Sequence, residues 1–186
     1  MFIELRKNHV RIKNKSRIPN AAPRMKGIRM NDLEVNRLIE IEKIYSNGVL
    51  RWKTQKRSKR CDCILHANEI DGYFVLYARQ NEIDIDNFSC GIKLVRPGKE
   101  DITLLRYNGS AHEHTNILER EVIDFECHIH IATERYANTG YKIDHYATRT
   151  NEYIDLKGAI KCLILRSNIQ GLTLSDFITQ EGFSFD

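Results

Sequence analysis

The sequence predicts an α+β fold, with a mainly antiparallel sheet of about six or seven strands and an N-terminal and a C-terminal helix. Two observations predict this class. Between residues 49 and 148, short β-type runs follow one another and are separated by turn-forming residues. On either side of this region, apolar residues recur at helical spacing instead.

The N-terminal helix is predicted over residues 32–46. Asn31 or Asp32 offers an N-cap, and the Asn47-Gly48 pair offers a stop. Between them, the apolar residues near helical spacing are Leu33, Leu38, Ile41, Ile44 and Tyr45. This pattern predicts one amphipathic helix.

Seven segments are predicted to form strands, and a second helix follows them. The strand segments read VLRWKTQKR, CDCILHA, GYFVLYARQ, IDIDNFSCGIKLVR, ITLLRY, VIDFECHIHIAT and YKIDHYAT. Helical spacing returns between Tyr153 and Asn168, through Ile154, Leu156, Ile160, Leu163 and Ile164. The strands are therefore expected to form a meander that a C-terminal helix closes.

The chain of 186 residues is expected to form one domain with two appendages. Residues 1–30 are predicted to be a basic arm, residues 31–172 the domain and residues 173–186 a polar tail. No stretch approaches the ~18 apolar residues of a membrane span, and the first residues lack the apolar run of a signal peptide. Five Cys, an odd number, favour reduced thiols. We therefore expect a cytoplasmic protein without a membrane partner.

Charge is distributed unevenly along the chain. Residues 1–60 contain 17 Lys and Arg against 5 Asp and Glu, whereas residues 61–186 contain 12 against 20. This asymmetry suits a polyanionic partner at one end, because neutralised phosphates release their counterions. A basic arm that is only solvated is the alternative.

A second basic segment, RWKTQKRSKR, surrounds the single Trp of the chain. The candidate substrate-binding residues in it are Arg51, Trp52, Lys53, Lys56, Arg57, Lys59 and Arg60. The cations would hold phosphates, and the indole beside them would stack on a base. The alternative is that Trp52 belongs to the core.

Four of the seven histidines fall within nineteen residues, as two His-x-His pairs. His112 and His114 lie in a predicted loop, and His128 and His130 lie in the strand VIDFECHIHIAT. Alternation along that strand places the second pair on the same face as Glu126. We expect this face to be accessible to solvent and the two pairs to lie close together.

Clustered imidazoles suit the cleavage of RNA without a metal. His112, His114, His128 and His130 are the candidates for the general base on a ribose 2′-hydroxyl and the general acid on the leaving oxygen. Arg106 and Arg135 would stabilise the charge of the phosphorane. The candidates for positioning the substrate are Tyr107, Asn116 and Tyr136.

Metal binding is the second chemistry, with His128 and His130 as ligands and with Glu126 or another His completing a tetrahedral site. We nevertheless expect no stoichiometric zinc and no cofactor, because neither pair has a fixed thiolate or carboxylate partner at ligand spacing. The spacing Cys61-x-Cys63-x-x-His66 differs from that of zinc fingers and indicates ordinary strand cysteines. A polar sheet face with ordinary histidines is the alternative to both chemistries.

The segments ITLLRYNG, HEHTN and CHIHIATERY resemble an uncharacterised bacterial family of domains of unknown function. Its members have an LLRY-type strand, a loop with His-Thr-Asn and a His-x-His-Ile strand, and the resemblance spans residues 100–168. The chain is also similar, more weakly, to TumE-like toxins of toxin–antitoxin pairs, in which Arg-Tyr-Asp-Asn precedes the histidines. Here the segment is Arg106-Tyr107-Asn108-Gly109. The second resemblance implies an action on RNA or translation.

Together, these features favour a bacterial or prophage-borne protein that engages RNA rather than DNA and cleaves it as a metal-independent ribonuclease of the toxin type. The alternative is a binding protein without catalysis, partnered by an antitoxin or acting as an inhibitor of a nucleic-acid-containing defence complex. A metal-dependent hydrolase is the third hypothesis.

Overall fold

The computed structural model of the chain describes residues 30–46 and 50–178. The helices in this part are α1 (Asp32–Glu40), α2 (Glu134–Ala137), α3 (Leu156–Arg166) and α4 (Leu174–Ile178). The strands are β1 (Lys43–Ile44), β2 (Lys53–Gln55), β3 (Ser58–Leu65), β4 (Tyr73–Asn81), β5 (Phe88–Val95), β6 (Ile102–Asn108), β7 (His114–Asn116), β8 (Glu121–Ile123), β9 (His128–Ile131), β10 (Ala147–Arg149) and β11 (Ile169–Gln170). The predicted α+β class is confirmed.

Seven strands form one antiparallel sheet in the order β10-β9-β6-β5-β4-β3-β2. Strands β2 to β6 are a meander, in which each strand pairs with the next in sequence. Between β6 and β9 the chain inserts β7 and β8, which pair with each other as a separate two-stranded sheet. This insertion places His114 beside β9, the second strand from one edge of the large sheet.

One face of the sheet carries the core. The buried residues of β3, β4 and β5 on this face are Cys61, Cys63, Leu65, Phe74, Leu76, Ala78, Cys90, Ile92 and Leu94. Helix α3 packs on the same face through Leu156, Ala159, Ile160 and Leu163. The cysteines of β3 are strand residues, as their spacing indicated, but they are buried in the core rather than half-buried, together with Cys90 of β5.

Helix α1 begins where the sequence predicted but ends earlier. The side chain of Asn31 caps it by accepting a hydrogen bond from the backbone N–H of Glu34 at 2.8 Å. The helix stops at Glu40 rather than at residue 46, because β1 pairs in parallel with β11, far along the chain. Local spacing cannot reveal such a pairing. The predicted stop at residues 47–48 lies outside the described residues.

The segment that leads into α3 supports the two strands of the site. Asp155 caps α3 by accepting from the N–H of Gly158 at 2.7 Å. Just before it, the buried Tyr153 places its hydroxyl 2.9 Å from the carbonyl oxygen of Asn108 and 3.0 Å from that of His128. This contact ties the ends of β6 and β9 together.

Only part of the predicted appendages can be located. The basic arm lies outside the described residues, apart from Met30, which is buried. The predicted tail begins with α4, whose Phe177 is buried in the core. None of the helices in the described part of the chain combines the length and the apolar character that crossing a membrane requires.

Candidate functional site

Five histidines lie together on the face of the sheet opposite the core. The ring centroid of His114 is 4.6 Å from that of His130, 5.5 Å from that of His128 and 5.1 Å from that of His145. His112 lies edge-on to His128 at 5.2 Å. The predicted convergence of the two His-x-His pairs is confirmed.

Strand pairing fixes the base of this cluster. On β9, His128 is opposite Asn108 of β6, and His130 is opposite Arg106 of the same strand. The four side chains therefore share one face. The next strand, β10, covers the outer edge of β9, with Ala147 opposite His130.

The predicted strand VIDFECHIHIAT is two strands rather than one. Strand β8 ends at Ile123 and β9 begins at His128, and between them Phe125 has a φ of 45°. That backbone conformation is unusual for a bulky side chain and interrupts an extended strand. The break lets β8 pair with β7 and fold back over β9, which brings His114 above His128.

The expected solvent accessibility of His128 and His130 is wrong, because their exposed fractions are 0% and 2%. Alternation correctly placed them away from the core, but the β7–β8 insertion and the segment with His145 cover that face. His112 is exposed, while His114 and His145 are half-buried. Only these last three rings can meet a substrate from solvent.

Hydrogen bonds to backbone carbonyls orient the two buried imidazoles. Nδ1 of His128 lies 2.8 Å from the carbonyl oxygen of Glu126, and Nδ1 of His130 lies 3.0 Å from that of Asp144. Since a carbonyl can only accept, both Nδ1 atoms carry the proton and both Nε2 atoms keep a lone pair. The two lone pairs face the same amide group of Asn108, whose Nδ2 is 3.2 and 3.3 Å away.

A second amide orients His114. Nε2 of His114 is 3.2 Å from Oδ1 of Asn116, and the same oxygen accepts from the N–H of Ala147 at 2.9 Å. Nδ2 of Asn116 donates to the carbonyl of Ala147 at 2.8 Å. Oδ1 therefore acts as an acceptor, so Nε2 of His114 is the donor and its Nδ1 keeps the lone pair. Asn116, predicted to position a substrate, is fully buried and positions His114 instead.

Burial keeps these imidazoles neutral near pH 7. Desolvation lowers the pKa of His128 to about 4 and that of His130 to about 2, and the charge of Arg106 adds to both shifts. The pKa of His114 is lowered as well, chiefly by desolvation. A neutral imidazole offers a lone pair as base or ligand, which an imidazolium cannot do.

Three of the histidines have the spacing of metal ligands. One nitrogen from each of His114, His128 and His130 lies within 4.8 Å of the other two. Glu126 is outside this group, since its carboxylate is 3.4 Å from Nε of Arg149 and about half exposed. Of the two third ligands that the sequence allowed, Glu126 or another His, the fold therefore brings a His, His114 of the insertion, to the pair.

Arg106 lies next to the cluster, opposite His130 in the pairing of β6 with β9. Its Nη2 lies 3.3 Å from a carboxylate oxygen of Asp144, and 29% of its side chain is exposed. Asp144 thus joins the cluster in two ways, because its backbone carbonyl also accepts from His130. A partly exposed guanidinium here can contact an anionic group that approaches from solvent.

Arg135 and Tyr136 lie beside the cluster rather than in it. Nη2 of Arg135 is 2.6 Å from Oε1 of Glu119, and the hydroxyl of Tyr136 donates to Oε2 of the same carboxylate at 2.6 Å. Tyr136 is buried, and its ring is 5.4 Å from that of His145. Both residues belong to α2, and their contacts with Glu119 hold the β7–β8 insertion against this helix.

Tyr107 lies on the other face of the sheet, which corrects its predicted role. Its side chain is fully buried, and its ring centroid is 5.4 Å from that of Tyr153 in the core. Alternation along β6 explains this, because the neighbours Arg106 and Asn108 both face the cluster. Tyr107 cannot contact a substrate bound at the histidines.

The basic segment around Trp52 lies at the far edge of the sheet, on and beside β2 and β3. Its exposed cations are Arg51, Lys53, Lys56, Arg57 and Arg60, and Lys59 is half-buried. The indole of Trp52 packs against the core, and its N–H donates to the carbonyl of Phe177 at 2.8 Å. Trp52 is therefore partly buried against the core, in agreement with the core reading, and its stacking on a base stays a prediction.

His145 is the member of the cluster that the sequence did not indicate. It stands alone in the predicted strand YKIDHYAT, without a second histidine or cysteine at ligand spacing. In the structure, its Nε2 is 3.2 Å from the carbonyl of Thr115. Only the tertiary packing of this segment on the insertion brings it to the other histidines.

No family model, curated protein or solved structure matches this chain. The chemistry of the site must therefore be inferred from its own side chains.

Proposed function

We propose that His114, His128 and His130 bind a transition metal and that the protein is a metal-dependent hydrolase of phosphodiesters. The observation that carries the proposal is the spacing of the three ligand nitrogens, which all lie within 4.8 Å of one another. Zinc is the proposed ion, in place of the sequence-based expectation of no stoichiometric zinc, because imidazole suits it and three histidines are a known ligand set of catalytic zinc.

The hydrogen bonds around the ligands support this proposal. Metal-binding histidines usually donate their second ring N–H to a carbonyl or carboxylate, which fixes the tautomer and the ring orientation. His128 and His130 do so through the carbonyls of Glu126 and Asp144. His114 instead donates its Nε2–H to the amide oxygen of Asn116, which leaves its Nδ1 free to bind the metal.

Asn108 gives a second, independent indication. Two ligands of one tetrahedral zinc lie about 3.3 Å apart, since Zn–N distances are about 2.0–2.1 Å. The amide nitrogen of Asn108 is 3.2 and 3.3 Å from the Nε2 atoms of His128 and His130. Its Oδ1 is buried and has no hydrogen-bond partner among the residues that the structure describes. Turning the amide would direct this oxygen toward a shared metal, as a ligand that a catalytic water either displaces from the fourth position or joins in a five-coordinate site.

The remaining side chains supply what hydrolysis requires. A bound zinc lowers the pKa of a coordinated water to about 7. His112 and His145, at the accessible side of the cluster, would be the residues to accept a proton from a water that the metal activates and to return it to the oxygen that leaves phosphorus. Arg106 is placed to bind the charged phosphoryl oxygens. The balanced reaction adds one water across one P–O bond.

Metal analysis of the purified full-length protein tests this proposal. We expect about one equivalent of zinc per chain after dialysis against a small excess of the ion. Hydrolysis of bis(p-nitrophenyl) phosphate should be lost in EDTA and restored by zinc. A folded protein that holds no metal above the background of an unrelated control would overturn the proposal.

Metal-independent cleavage of RNA is the second candidate. It is favoured by the position of His112, His114 and His145, which line the accessible side of the cluster beside Arg106. His128 and His130 cannot act on a ribose directly, because both are buried. Under this hypothesis, cleavage of a labelled RNA continues unchanged in EDTA, which separates it from the metal-dependent hydrolase.

A further inference from the structure

The second face of the sheet extends beyond the histidine cluster as an open surface. Over β3, β4 and β5 its side chains alternate with the buried core residues, and those of Arg60 and Asp62 are 54% and 53% exposed. Ile64 is 51% exposed, and Arg79 is exposed as well. This part of the face is therefore open to solvent among the residues that the structure describes.

One row of paired residues crosses six of the seven strands of the sheet on this face. The cross-strand partners in this row are Lys53, Arg60, Arg79, Ser89, Asn108 and His128, each opposite the next. Neighbouring strands lie about 4.8 Å apart, so the row spans roughly 24 Å. It leads directly from the basic hairpin at the far edge to the histidine cluster.

The neighbouring row places an aromatic ring, Tyr77, between Asp62 on β3 and Arg106 on β6. Tyr77 is opposite Gly91, and Gly91 is opposite Arg106. A Cβ at Gly91 would lie 2.6 Å from the hydroxyl oxygen of Tyr77, so the missing side chain makes room for this ring to lie across β5. Nζ of Lys93 is 5.5 Å from the centroid of the same ring. Tyr77 remains half-exposed.

The charge of this surface is positive. Asp62 faces Arg60 at 3.3 Å and Asp144 faces Arg106 at 3.3 Å, but two further cations have neutral neighbours. Arg79 donates to the amide oxygen of Asn87 at 3.1 Å, and Lys93 lies over Tyr77. Neither contact neutralises the cation, so both can bind phosphates.

We infer that this open face, which we call the sheet track, binds a single-stranded nucleic acid and leads it to the histidine cluster. Arg60, Arg79, Lys93 and Arg106 contact the phosphates, and Tyr77 stacks on an unpaired base. A positive groove with an aromatic platform is the usual surface for single strands. A duplex is not favoured, because its bases cannot reach a ring that lies flat on a sheet. Binding of a single-stranded nucleic acid by the sheet track does not depend on the proposed function. Only the statement that this nucleic acid is the substrate of the histidine cluster rests on it.

Fluorescence anisotropy of a labelled 12-nucleotide strand tests the track, with the full-length protein in EDTA so that no metal-dependent cleavage occurs. The track variant carries Arg79→Glu and Lys93→Glu. The control variant carries Lys99→Glu and Lys161→Glu, which change the charge equally at exposed positions in the β5–β6 turn and on α3. We expect the track variant to bind at least ~10-fold more weakly than the control. For this variant, the slope of the logarithm of the binding constant against the logarithm of the salt concentration should be shallower by about 1.4, because two phosphate contacts are lost.

Three comparisons decide the result. Equal loss in the track and control variants, or no loss in either, would overturn the inference, because binding would then depend on net charge or on another surface. Tighter binding of the matching duplex than of the single strand would also contradict it. RNA and DNA strands of one sequence identify which nucleic acid is preferred. If the sheet track does not bind nucleic acid, the zinc content of the protein is unaffected, so the two proposals can fail independently.

Discussion

The His130→Ala variant is expected to bind zinc at least ~100-fold more weakly than the wild-type protein, measured by competition with a chromophoric chelator. Losing a partner that only supports a ligand costs about 10–100-fold in metal affinity, and losing a ligand itself costs more. Because His130 is buried, His114→Ala is the companion variant at a half-buried position. It removes the third ligand with less disturbance of the sheet.

Two further variants make this test specific. His66→Ala removes an exposed imidazole outside the cluster and should leave zinc affinity unchanged. Asn108→Asp places a carboxylate where the unpartnered amide oxygen lies, so it should tighten zinc binding. If the cluster were only a buried hydrogen-bond network, Asn108→Asp would lower stability and leave zinc affinity at background. Equal zinc affinity in all four variants would contradict the ligand assignment.

The Lys43→Met variant is expected to lower the free energy of unfolding by about 3 kcal/mol, measured by urea denaturation. Lys43 is fully buried in β1, and its Nζ donates to three carbonyl oxygens. They belong to Ile39 and Ile41 at 2.8 Å and to Ser167 at 3.0 Å. Met fills a similar volume but leaves all three carbonyls without a donor, and each buried unsatisfied group costs about 1–3 kcal/mol. Removal of the desolvated charge offsets part of this loss.

The pH dependence of the same variant gives a further check. Burial lowers the pKa of Lys43 from 10.5 to about 8. Between these two values the unfolded chain keeps a proton that the folded protein has released, so the stability of the wild-type protein should rise with pH relative to Lys43→Met. Lys161→Met, at an exposed position of α3, is the matched control and should change stability by less than about 0.5 kcal/mol. A similar effect of both variants would contradict the role given to the three carbonyl contacts.

Much of the sheet follows from local patterns in the sequence. Strands β3 and β4 alternate between the core and the opposite face, and turn-forming residues separate β3 to β6, so their order as a meander was predictable. The register shift between β5 and β6, where the neighbours Leu104 and Leu105 are both buried, was not predictable from alternation. The early end of α1 was not predictable either, because it depends on the parallel pairing of β1 with β11. The residues of these two strands are more than a hundred positions apart, and no local signal connects them.

The candidate site was predictable only in part, for the same reason. Alternation shows that His128 and His130 share a face, and the short distance along the chain places His112 and His114 near them. Alternation cannot show whether another segment covers that face, so the burial of both strand histidines was missed. The contribution of His145 was also hidden, because it depends on how one segment packs on the insertion.

The resemblance to TumE-like toxins and the basic segments gave RNA as the partner, and the sheet track adds a different set of residues to that hypothesis. Arg79, Lys93 and Tyr77 lie in separate strands and form no basic run in the sequence. They come together only because cross-strand pairing aligns them on one face. A search of the sequence for clustered cations finds the hairpin at the edge but not the surface beside it.

X-ray absorption at the zinc K-edge of the full-length protein, loaded with one equivalent of zinc, tests the central claim most directly. We predict a first coordination shell of nitrogen and oxygen at about 2.0–2.1 Å, with the outer-shell scattering of three imidazoles. The imidazole contribution should decrease in the His114→Ala variant. A shell that contains sulfur at about 2.3 Å, or a spectrum of hydrated zinc that the His114→Ala and His130→Ala variants leave unchanged, would contradict a three-histidine metal centre.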